Sequence, residues 1–143
     1  MIYWFTGQPS AGKTVLANLL KEKHLPDAYR IDGDDMRELF NNKDYTINGR
    51  VINVGTAQRI AHYLHNQNKD VIVSLVSPYI DQREDFKNLM GDNIKEIYVH
   101  ANEKRERDHF SAIAYKPPLE KYIDIDTTTD TPEESLKKII NEI

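Results

Sequence analysis

The sequence contains no cysteine, which excludes disulfides, thiolate metal sites and a thiol nucleophile. It has no apolar run near the roughly 18 residues that a membrane span needs. Its amino terminus lacks a basic region followed by a long apolar stretch and a cleavage site. Nor is there an excess of positive charge, because 19 Lys and Arg face 23 Asp and Glu and the formal net charge is −4. We therefore expect a cytoplasmic protein with neither a membrane nor generic nucleic acid as a partner.

The length of 143 residues allows one compact domain with room for a small lid, but not two ordinary domains. The chain is 39% hydrophobic and 29% charged, which is typical of a folded globular protein. We therefore predict a single domain over 1–143. The composition is compatible with a monomer or an oligomer, and we include a homodimer among the expected assemblies.

Short apolar segments alternate along the chain with longer segments of helical periodicity. Strands separated by helices imply parallel pairing through right-handed crossovers. Near the end, Thr131, Pro132 and Glu134 form the pattern of a capping box that begins a helix. We therefore predict a three-layer α/β/α domain around a mainly parallel sheet of about five strands. The predicted strands cover 2–6, 28–31, 70–76, 94–99 and 122–125, and the predicted helices cover 13–24, 50–68, 81–90, 102–109 and the residues from 131 onward.

The strongest motif lies between the first predicted strand and the first predicted helix. The sequence Gly-Gln-Pro-Ser-Ala-Gly-Lys-Thr at 7–14 matches the phosphate-binding pattern G-x-x-x-x-G-K-[ST]. In such a loop, backbone N–H groups and the helix amino terminus surround a phosphate, the lysine contacts the terminal phosphates and the threonine hydroxyl binds Mg²⁺. A glycine-rich turn with a solvated lysine is the alternative, but the strand before and the helix after favour a P-loop NTPase fold. The residues predicted to bind ATP here are Gly7, Gln8, Pro9, Ser10, Ala11, Gly12, Lys13 and Thr14.

A P-loop needs an acidic partner for its Mg²⁺, normally at the end of a neighbouring strand. The two most apolar later strands end in Ser-Pro and His-Ala-Asn, which supply no carboxylate. The acids lie instead in Asp32-Gly33-Asp34-Asp35, after the second predicted strand. A turn with a helix cap is the alternative interpretation of this segment, and the two are compatible. By elimination, we expect the metal or the phosphoryl acceptor to be bound there.

Arginines near this acidic segment suggest a kinase. A carboxylate can orient an acceptor hydroxyl and take its proton, and arginines can bind the transferring phosphate or an anionic acceptor. Arg37 and Arg50 are the favoured candidates because they lie beside the acidic segment and at the start of the long predicted helix. Taken alone, each arginine is better interpreted as a surface charge than as a ligand-binding residue.

The motifs together resemble the adenylylsulfate kinase family, and the matching blocks follow one another in order over most of the chain. Phe-Thr-Gly-Gln-Pro-Ser-Ala-Gly-Lys-Thr at 5–14 and Ile-Asp-Gly-Asp-Asp-Met-Arg at 31–37 resemble the family's P-loop and its Asp-Gly-Asp-Asn-x-Arg turn. Further similarity lies in Tyr-Thr-Ile-Asn-Gly-Arg-Val-Ile-Asn at 45–53 and Val-Ser-Pro-Tyr at 76–79 followed by Arg83. The stretches Ile-Asp-Ile-Asp-Thr at 123–127 and Thr-Pro-Glu-Glu at 131–134 also match.

The resemblance implies an enzyme that uses ATP and Mg²⁺ to phosphorylate the 3′-hydroxyl of adenosine 5′-phosphosulfate. It implies that Lys13 and Asp34 are catalytic, and that Asp34 and Thr14 hold the metal. It also implies that Arg107 packs on the ATP base and that Tyr45 stacks on the acceptor adenine. The implied acceptor-binding residues are Asp34, Arg37, Tyr45, Arg50, Asn53, Ser77 and Phe110.

The chain departs from the family in the segment after Arg107 and Asp108, where the family's Lys-Gly-Leu-Tyr-Lys-Lys-Ala-Arg stretch has no counterpart. This implies a shortened lid at about 105–118, and Ile80 stands where the family usually has an arginine. Because lids and acceptor loops determine specificity in such enzymes, three hypotheses stay open at this point. They are a kinase of adenylyl sulfate, a related kinase of another nucleoside, nucleotide or modified-base acceptor, and a non-catalytic nucleotide-binding module.

Overall fold

The computed structural model describes residues 1–102 and 115–143, and these form a five-stranded, fully parallel sheet with helices on both faces. The strand order is β2-β3-β1-β4-β5, which confirms the predicted three-layer α/β fold. The strands are β1 (Ile2–Thr6), β2 (Tyr29–Asp32), β3 (Val71–Ser74), β4 (Ile94–His100) and β5 (Tyr122–Asp126), and the helices are α1 (Lys13–Lys23), α2 (Gly33–Leu39), α3 (Ile47–Asn66), α4 (Ile80–Met90) and α5 (Pro132–Glu142).

Successive side chains of the central strands enter two different cores. Phe5 of β1 and Ile72 of β3 pack with residues of α1 and α5 on one face of the sheet. Trp4 and Val73 point to the opposite face and pack with residues of α3 and α4. Strands covered on both sides must be apolar at nearly every position, and this explains why β1 and β3 carry almost continuous apolar runs.

The ends of the helices follow from local capping. Thr131 accepts a hydrogen bond from the backbone N–H of Glu134, whose side chain accepts one from the Thr131 N–H, so the predicted capping box is confirmed. Helix α3 begins at Ile47, ahead of the predicted residue 50, because the Thr46 side chain caps it by accepting from Gly49 N–H.

The prediction missed α2, since the acidic segment was interpreted as a turn. The Asp32 side chain accepts a hydrogen bond from the Asp34 N–H, and this cap allows the chain to continue as a helix through Leu39. Strand β3 ends at Ser74 instead of residue 76, and α3 ends at Asn66 instead of residue 68. The helix predicted at 102–109 lies, from residue 103 on, outside the described residues.

None of the helices in the described part of the chain is both long and apolar enough to span a membrane. The single-domain boundary, the lid at about 105–118, the homodimer and the cytoplasmic location stay predictions.

Candidate active site

A cleft of about 730 Å³ opens at the carboxyl ends of β1, β2 and β3. Each strand contributes the segment that directly follows it, since parallel strands end at the same edge of the sheet. Helix α3 closes the cleft from the side with residues of its first turns. The lining residues are Pro9, Ser10, Gly12, Lys13, Thr14, Val15, Asp32, Gly33, Asp34, Arg37, Tyr45, Arg50, Asn53, Val54, Ser74, Leu75, Val76, Ser77 and Pro78.

The backbone of the phosphate-binding loop has a shape that two glycines permit. Gly7 has φ of 150°, and a Cβ atom there would lie 2.1 Å from the Val99 carbonyl oxygen of neighbouring strand β4. Gly12 caps α1 with a left-handed φ of 104°. Without a side chain at these positions, the backbone can turn sharply at the start of α1, where the N–H groups of a helix amino terminus are suited to bind a phosphate.

Hydrogen bonds hold this loop from within and from β5. The Lys13 Nζ donates to the Gln8 carbonyl at 2.8 Å, and the lysine is only 8% exposed. Thr127, directly after β5, donates from its hydroxyl to the Ala11 carbonyl at 2.7 Å. The Ser10 Oγ is buried and has no hydrogen-bond partner among the described residues. A buried hydroxyl without a partner in a loop of this shape fits an incoming phosphate oxygen.

A carboxylate at the end of β2 joins the P-loop to the rest of the cleft. Asp32 Oδ1 accepts from the Thr14 hydroxyl at 3.2 Å and from the Ser74 hydroxyl at 2.8 Å. The Arg30 guanidinium lies 3.8 Å from the same oxygen and donates to Ser74 Oγ at 2.8 Å. Burial lowers the pKa of Arg30, and the neighbouring Asp32 and Asp35 counteract that effect. The arrangement places a carboxylate and a hydroxyl side by side next to the phosphate-binding loop.

These oxygens suit Mg²⁺ as ligands. Magnesium is usually held by one or two carboxylates together with substrate phosphates, and seldom by a cage made of protein groups alone. The described residues contain no group of three or more histidine, cysteine or acidic side chains able to hold a metal ion. Thr14, Asp32 and the nearby Asp34 match the open type of site.

Arg37 and Tyr45 form the outer wall of the cleft. The Arg37 guanidinium lies 3.9 Å from the centre of the Tyr45 ring, within the distance of a cation–π contact. Its Nη1 donates to the carbonyl oxygens of Asn42 and Asp44 at 3.1 and 2.9 Å, which fixes the loop between α2 and α3. Tyr45 is 63% exposed, so a large part of the tyrosine is accessible to a planar ligand.

Two side chains of α3 lie deeper in the cleft. Arg50 lines it and makes no hydrogen bond or ion pair with a described residue through its guanidinium. Asn53 follows less than one turn later and is 7% exposed, and its side-chain amide makes no hydrogen bond within 1–102 or 115–143. A cation and an amide in this situation can bind an anionic, hydrogen-bonding ligand.

Ser77 lies in the wall that follows β3, and both of its oxygen atoms accept hydrogen bonds from the protein. Its hydroxyl accepts a hydrogen bond from Trp4 Nε1 at 3.0 Å, and its carbonyl accepts one from Arg83 Nη1 at 2.6 Å. Its φ of 48° is left-handed, an uncommon conformation for serine. Ser77 is therefore a fixed part of the wall, with its hydroxyl proton as the remaining donor.

Most residues predicted for the site meet in this one cleft. Asp34 lies in the first turn of α2, exposed, and lines the cleft with the others. Gly7, Gln8 and Ala11 do not line it and instead shape the loop backbone. Arg107 and Phe110 lie outside the described residues. Those that line the cleft are Pro9, Ser10, Gly12, Lys13, Thr14, Asp34, Arg37, Tyr45, Arg50, Asn53 and Ser77.

Sequence reasoning gave no separate role to Asp32, Arg30 and Ser74. The position of Asp32 was an available signal, since a P-loop's acidic partner normally ends a neighbouring strand. The Arg30 and Ser74 contacts depend on the pairing of β2 with β3, and no local pattern indicates that pairing.

Comparison with known proteins shows similarity over most of the chain. The family model for adenylylsulphate kinase matches residues 1–136. The adenylyl-sulfate kinase of Rippkaea orientalis is 32% identical over 158 residues, covering 95% of this chain and 87% of that protein. The cytidine diphosphoramidate kinase of Campylobacter jejuni is 28% identical over 143 residues, covering 94% and 83%.

A solved structure supports the fold. The APS kinase of Mycobacterium tuberculosis in complex with AMPPNP and APS has a TM-score of 0.85 to this chain at 22% identity, and the match covers 98% of this chain and 95% of that one. With a match over almost the whole sequence and the P-loop in its required context, the chain belongs to the adenylylsulfate kinase family of phosphotransferases that act on a hydroxyl acceptor.

Proposed function

We propose that this enzyme transfers the γ-phosphate of ATP to the 3′-hydroxyl of adenosine 5′-phosphosulfate, giving 3′-phosphoadenylyl sulfate. The observation that carries the proposal is one cleft lined both by a P-loop and by Arg37, Arg50 and Asn53. A protein that only changes conformation on binding a nucleotide needs the P-loop, but it has no use for three residues that bind a phosphoryl acceptor. ATP use follows from family membership, and the related Mycobacterium tuberculosis kinase binds AMPPNP together with APS.

On the donor side, the loop backbone and Lys13 bind the phosphates of ATP. The N–H groups at the start of α1 and the lysine ammonium stabilise the negative charge that shifts toward the β-phosphate as the bond to the γ-phosphorus breaks. Gly7 lies close against β4, and the Thr127 hydroxyl donates a hydrogen bond to the Ala11 carbonyl. These two contacts hold the phosphate-binding groups in place before ATP arrives. Such preorganisation is the main contribution that a protein makes to phosphoryl transfer.

Asp34 is the proposed base. Its carboxylate orients the acceptor hydroxyl and takes the proton as the hydroxyl oxygen bonds to the γ-phosphorus and ADP leaves. Asp34 suits this role because it lines the cleft and its carboxylate has no bonded partner among the described residues. Asp32, by contrast, is engaged with Thr14, Ser74 and the cap of α2.

Mg²⁺ would be held by Thr14, with Asp32 and Asp34 as the nearby carboxylates. When bound, it would neutralise the charge on the β- and γ-phosphates. The Thr14 hydroxyl already donates a hydrogen bond to Asp32, so the two oxygen atoms that could bind the metal lie next to each other.

Arg37, Arg50 and Asn53 form the proposed binding site for the acceptor's anionic group and ribose. Two arginines suit an acceptor with a phosphosulfate group, because guanidinium groups bind such oxyanions in a bidentate way. Tyr45 supplies a ring for the acceptor's base, and Arg37 covers the tyrosine at cation–π distance.

A second acceptor has specific support. The Campylobacter jejuni relative is named for cytidine diphosphoramidate, and its match covers 94% of this chain, against 95% for the adenylyl-sulfate kinase of Rippkaea orientalis. The exposed ring of Tyr45 can stack on cytosine as well as on adenine. We therefore propose cytidine diphosphoramidate as the alternative acceptor for the same mechanism.

The test is an acceptor panel under one ADP-release assay with ATP and Mg²⁺. Adenosine 5′-phosphosulfate, cytidine diphosphoramidate, ordinary nucleosides and nucleoside monophosphates are compared at equal concentration. We expect adenosine 5′-phosphosulfate to give the highest kcat/KM and a product phosphorylated at the 3′-oxygen, identified by phosphorus NMR. Faster turnover of cytidine diphosphoramidate would show that it, and not adenosine 5′-phosphosulfate, is the preferred acceptor. ADP release that no acceptor stimulates above the ATP-only rate would refute both.

A further inference from the structure

Arg83 of α4 is a buried cation that connects three separate segments of the chain. It is 3% exposed. Its Nε donates to Glu96 Oε2 of β4 at 3.1 Å, and its Nη1 donates to the Ser77 carbonyl at 2.6 Å. Its Nη2 donates to the carbonyl of Lys116, where the described chain resumes. Each nitrogen of the guanidinium is thus directed at a different structural element.

The ion pair with Glu96 does not by itself explain an arginine at this position. Lys87, one turn later on α4, also pairs with Glu96, through Nζ and Oε1 at 2.8 Å. Glu96 is 3% exposed, so removing both cations would leave a buried charge without a partner, which is costly. A lysine would suffice for charge balance. What the guanidinium adds is a rigid fork that reaches two loop carbonyls at once.

The two loops that Arg83 joins are also connected to each other and to β1. Lys116 N–H donates to the Pro78 carbonyl at 3.1 Å. The Tyr115 hydroxyl lies 3.1 Å from Thr6 Oγ1, and the Tyr115 ring centre lies 5.1 Å from the Arg83 guanidinium. Thr6 is the last residue of β1, directly before the phosphate-binding loop.

Ser77 is the point at which this network meets the cleft. Its left-handed backbone, its carbonyl bond to Arg83 and its hydroxyl bond from Trp4 hold the wall after β3 in one position. The P-loop also has contacts of its own, namely those of Gly7 with Val99 and of Ala11 with Thr127, beside the link through Tyr115 to Thr6. The contacts of Gly7 and Ala11 do not involve Arg83, so we expect a change at Arg83 to act mainly on the wall after β3.

We propose that Arg83 is a positioning residue for the phosphoryl acceptor. It fixes Ser77 and Lys116 relative to β1 and β4, and so determines how tightly the acceptor, but not ATP, is bound. The inference rests on the proposed kinase function, because it assigns the wall after β3 to the acceptor side of that cleft.

The test compares Arg83→Lys with Lys87→Met. Arg83→Lys keeps the charge opposite Glu96, so the chain stays folded, but one ammonium cannot reach Glu96, Ser77 and Lys116 in the same fork. Because a misplacement of about 1 Å can cost up to about 10²-fold, we expect the acceptor KM to rise about tenfold while the ATP KM is unchanged. Lys87→Met removes the other cation on the same carboxylate and has no contact with Ser77. It should lower the melting temperature and leave both KM values unchanged.

Trp4 offers a readout that does not require turnover. It is the single tryptophan of the chain, and its Nε1 donates to Ser77 Oγ. We expect the Trp4 emission of substrate-free protein to shift in Arg83→Lys and to stay as in the parent in Lys87→Met. An unshifted emission in Arg83→Lys, or an equal shift in both variants, overturns the inference whether or not any acceptor is turned over. Equal increases of the ATP and acceptor KM values in folded Arg83→Lys overturn it as well.

If the acceptor panel shows no stimulation, the proposed function fails, but the emission measurement still decides whether Arg83 positions Ser77. A shift confined to Arg83→Lys would then support that contact and leave the acceptor role refuted. The two failures are therefore distinguishable.

Discussion

The two sides of the cleft are built in different ways. On the donor side, the backbone of the loop after β1 packs so closely on β4 that a Cβ at Gly7 would lie 2.1 Å from the Val99 carbonyl oxygen. On the proposed acceptor side, side chains from α2, α3 and the connection between them form the wall, and Tyr45 is 63% exposed. One side consists mainly of buried main chain, and the other consists of side chains that range from the exposed Tyr45 to the buried Asn53.

This difference explains why the donor is easier to infer than the acceptor. A loop that binds phosphate through N–H groups has one geometric solution, so its residues must be small and closely spaced. A wall of side chains can be adapted to another ligand by changes at a few residues, although Arg37 also holds the loop between α2 and α3 through the Asn42 and Asp44 carbonyls. The predictions below change one side at a time.

The largest effect is expected from Lys13→Ala on the donor side. Loss of the ammonium should lower kcat about 10²- to 10³-fold with every acceptor, because it stabilises charge that develops during transfer. The rate of ADP release measures this fall in kcat. Lys23→Ala, an exposed change near the end of the same helix, should leave the rate as it was. A Lys13→Ala variant that keeps the parent rate would remove Lys13 from the catalytic group.

Asp34→Asn addresses the point where the two sides meet. We expect kcat to fall about 10²-fold, because the amide cannot take the acceptor's proton, while the affinity for an ATP analogue measured by calorimetry is unchanged. Asp35→Asn is the matched control, since Asp35 lies in the same first turn of α2 but does not line the cleft. Equal losses in the two variants would indicate an effect on the helix and not on the reaction.

Tyr45→Leu tests the acceptor side alone. Stacking of a base on an aromatic ring contributes about 1–3 kcal/mol, so the acceptor KM should rise about tenfold or more and the ATP KM should not change. Tyr63→Leu, a similarly exposed tyrosine of α3 outside the cleft, should have no effect on either KM. A rise in the ATP KM for Tyr45→Leu would contradict the division of the cleft into two sides.

The smallest effect concerns Tyr115, which connects the wall after β3 to β1. Burial raises the pKa of Tyr115 far above its usual value of 10.0, and the nearby Thr6 hydroxyl and Arg83 partly counteract this. Above pH 10.0, the Tyr115 hydroxyl loses its proton in the unfolded chain but keeps it in the folded chain. The contribution of Tyr115 to the free energy of unfolding is therefore fully present below pH 10.0. It falls by up to about 1.4 kcal/mol per pH unit as the pH rises from there toward the folded-state pKa.

We expect Tyr115→Phe to lose less stability than the parent between neutral and strongly alkaline pH. Urea unfolding at a series of pH values measures the free energy, and the ultraviolet absorbance of tyrosinate reports ionisation. Tyr3 and Tyr98, whose pKa values are also raised by burial, remain in both proteins and provide the common background. Parallel stability curves for the two proteins would show that the Tyr115 hydroxyl does not couple folding to pH.

Local patterns were sufficient for several parts of the fold and site. The P-loop at 7–14 and the capping box of Thr131 and Glu134 were predicted because each motif satisfies its own hydrogen bonds within a few residues. Helix α2 was missed because Asp32 favours both a turn and a cap, and only the continuation of the chain decides between them.

The amino-acid sequence alone determined the alternation of strands and helices and the phosphate-binding loop, because these depend on periodicity and on short spacings along the chain. The kinase family was indicated by the resemblance of its ordered motifs to those of a known family. The contact of Asp32 with Thr14 and the connection of Arg83 to Ser77 and Lys116 arise only from the tertiary structure. They join residues between 6 and 33 positions apart, and the pairing of parallel strands brings them together at one edge of the sheet.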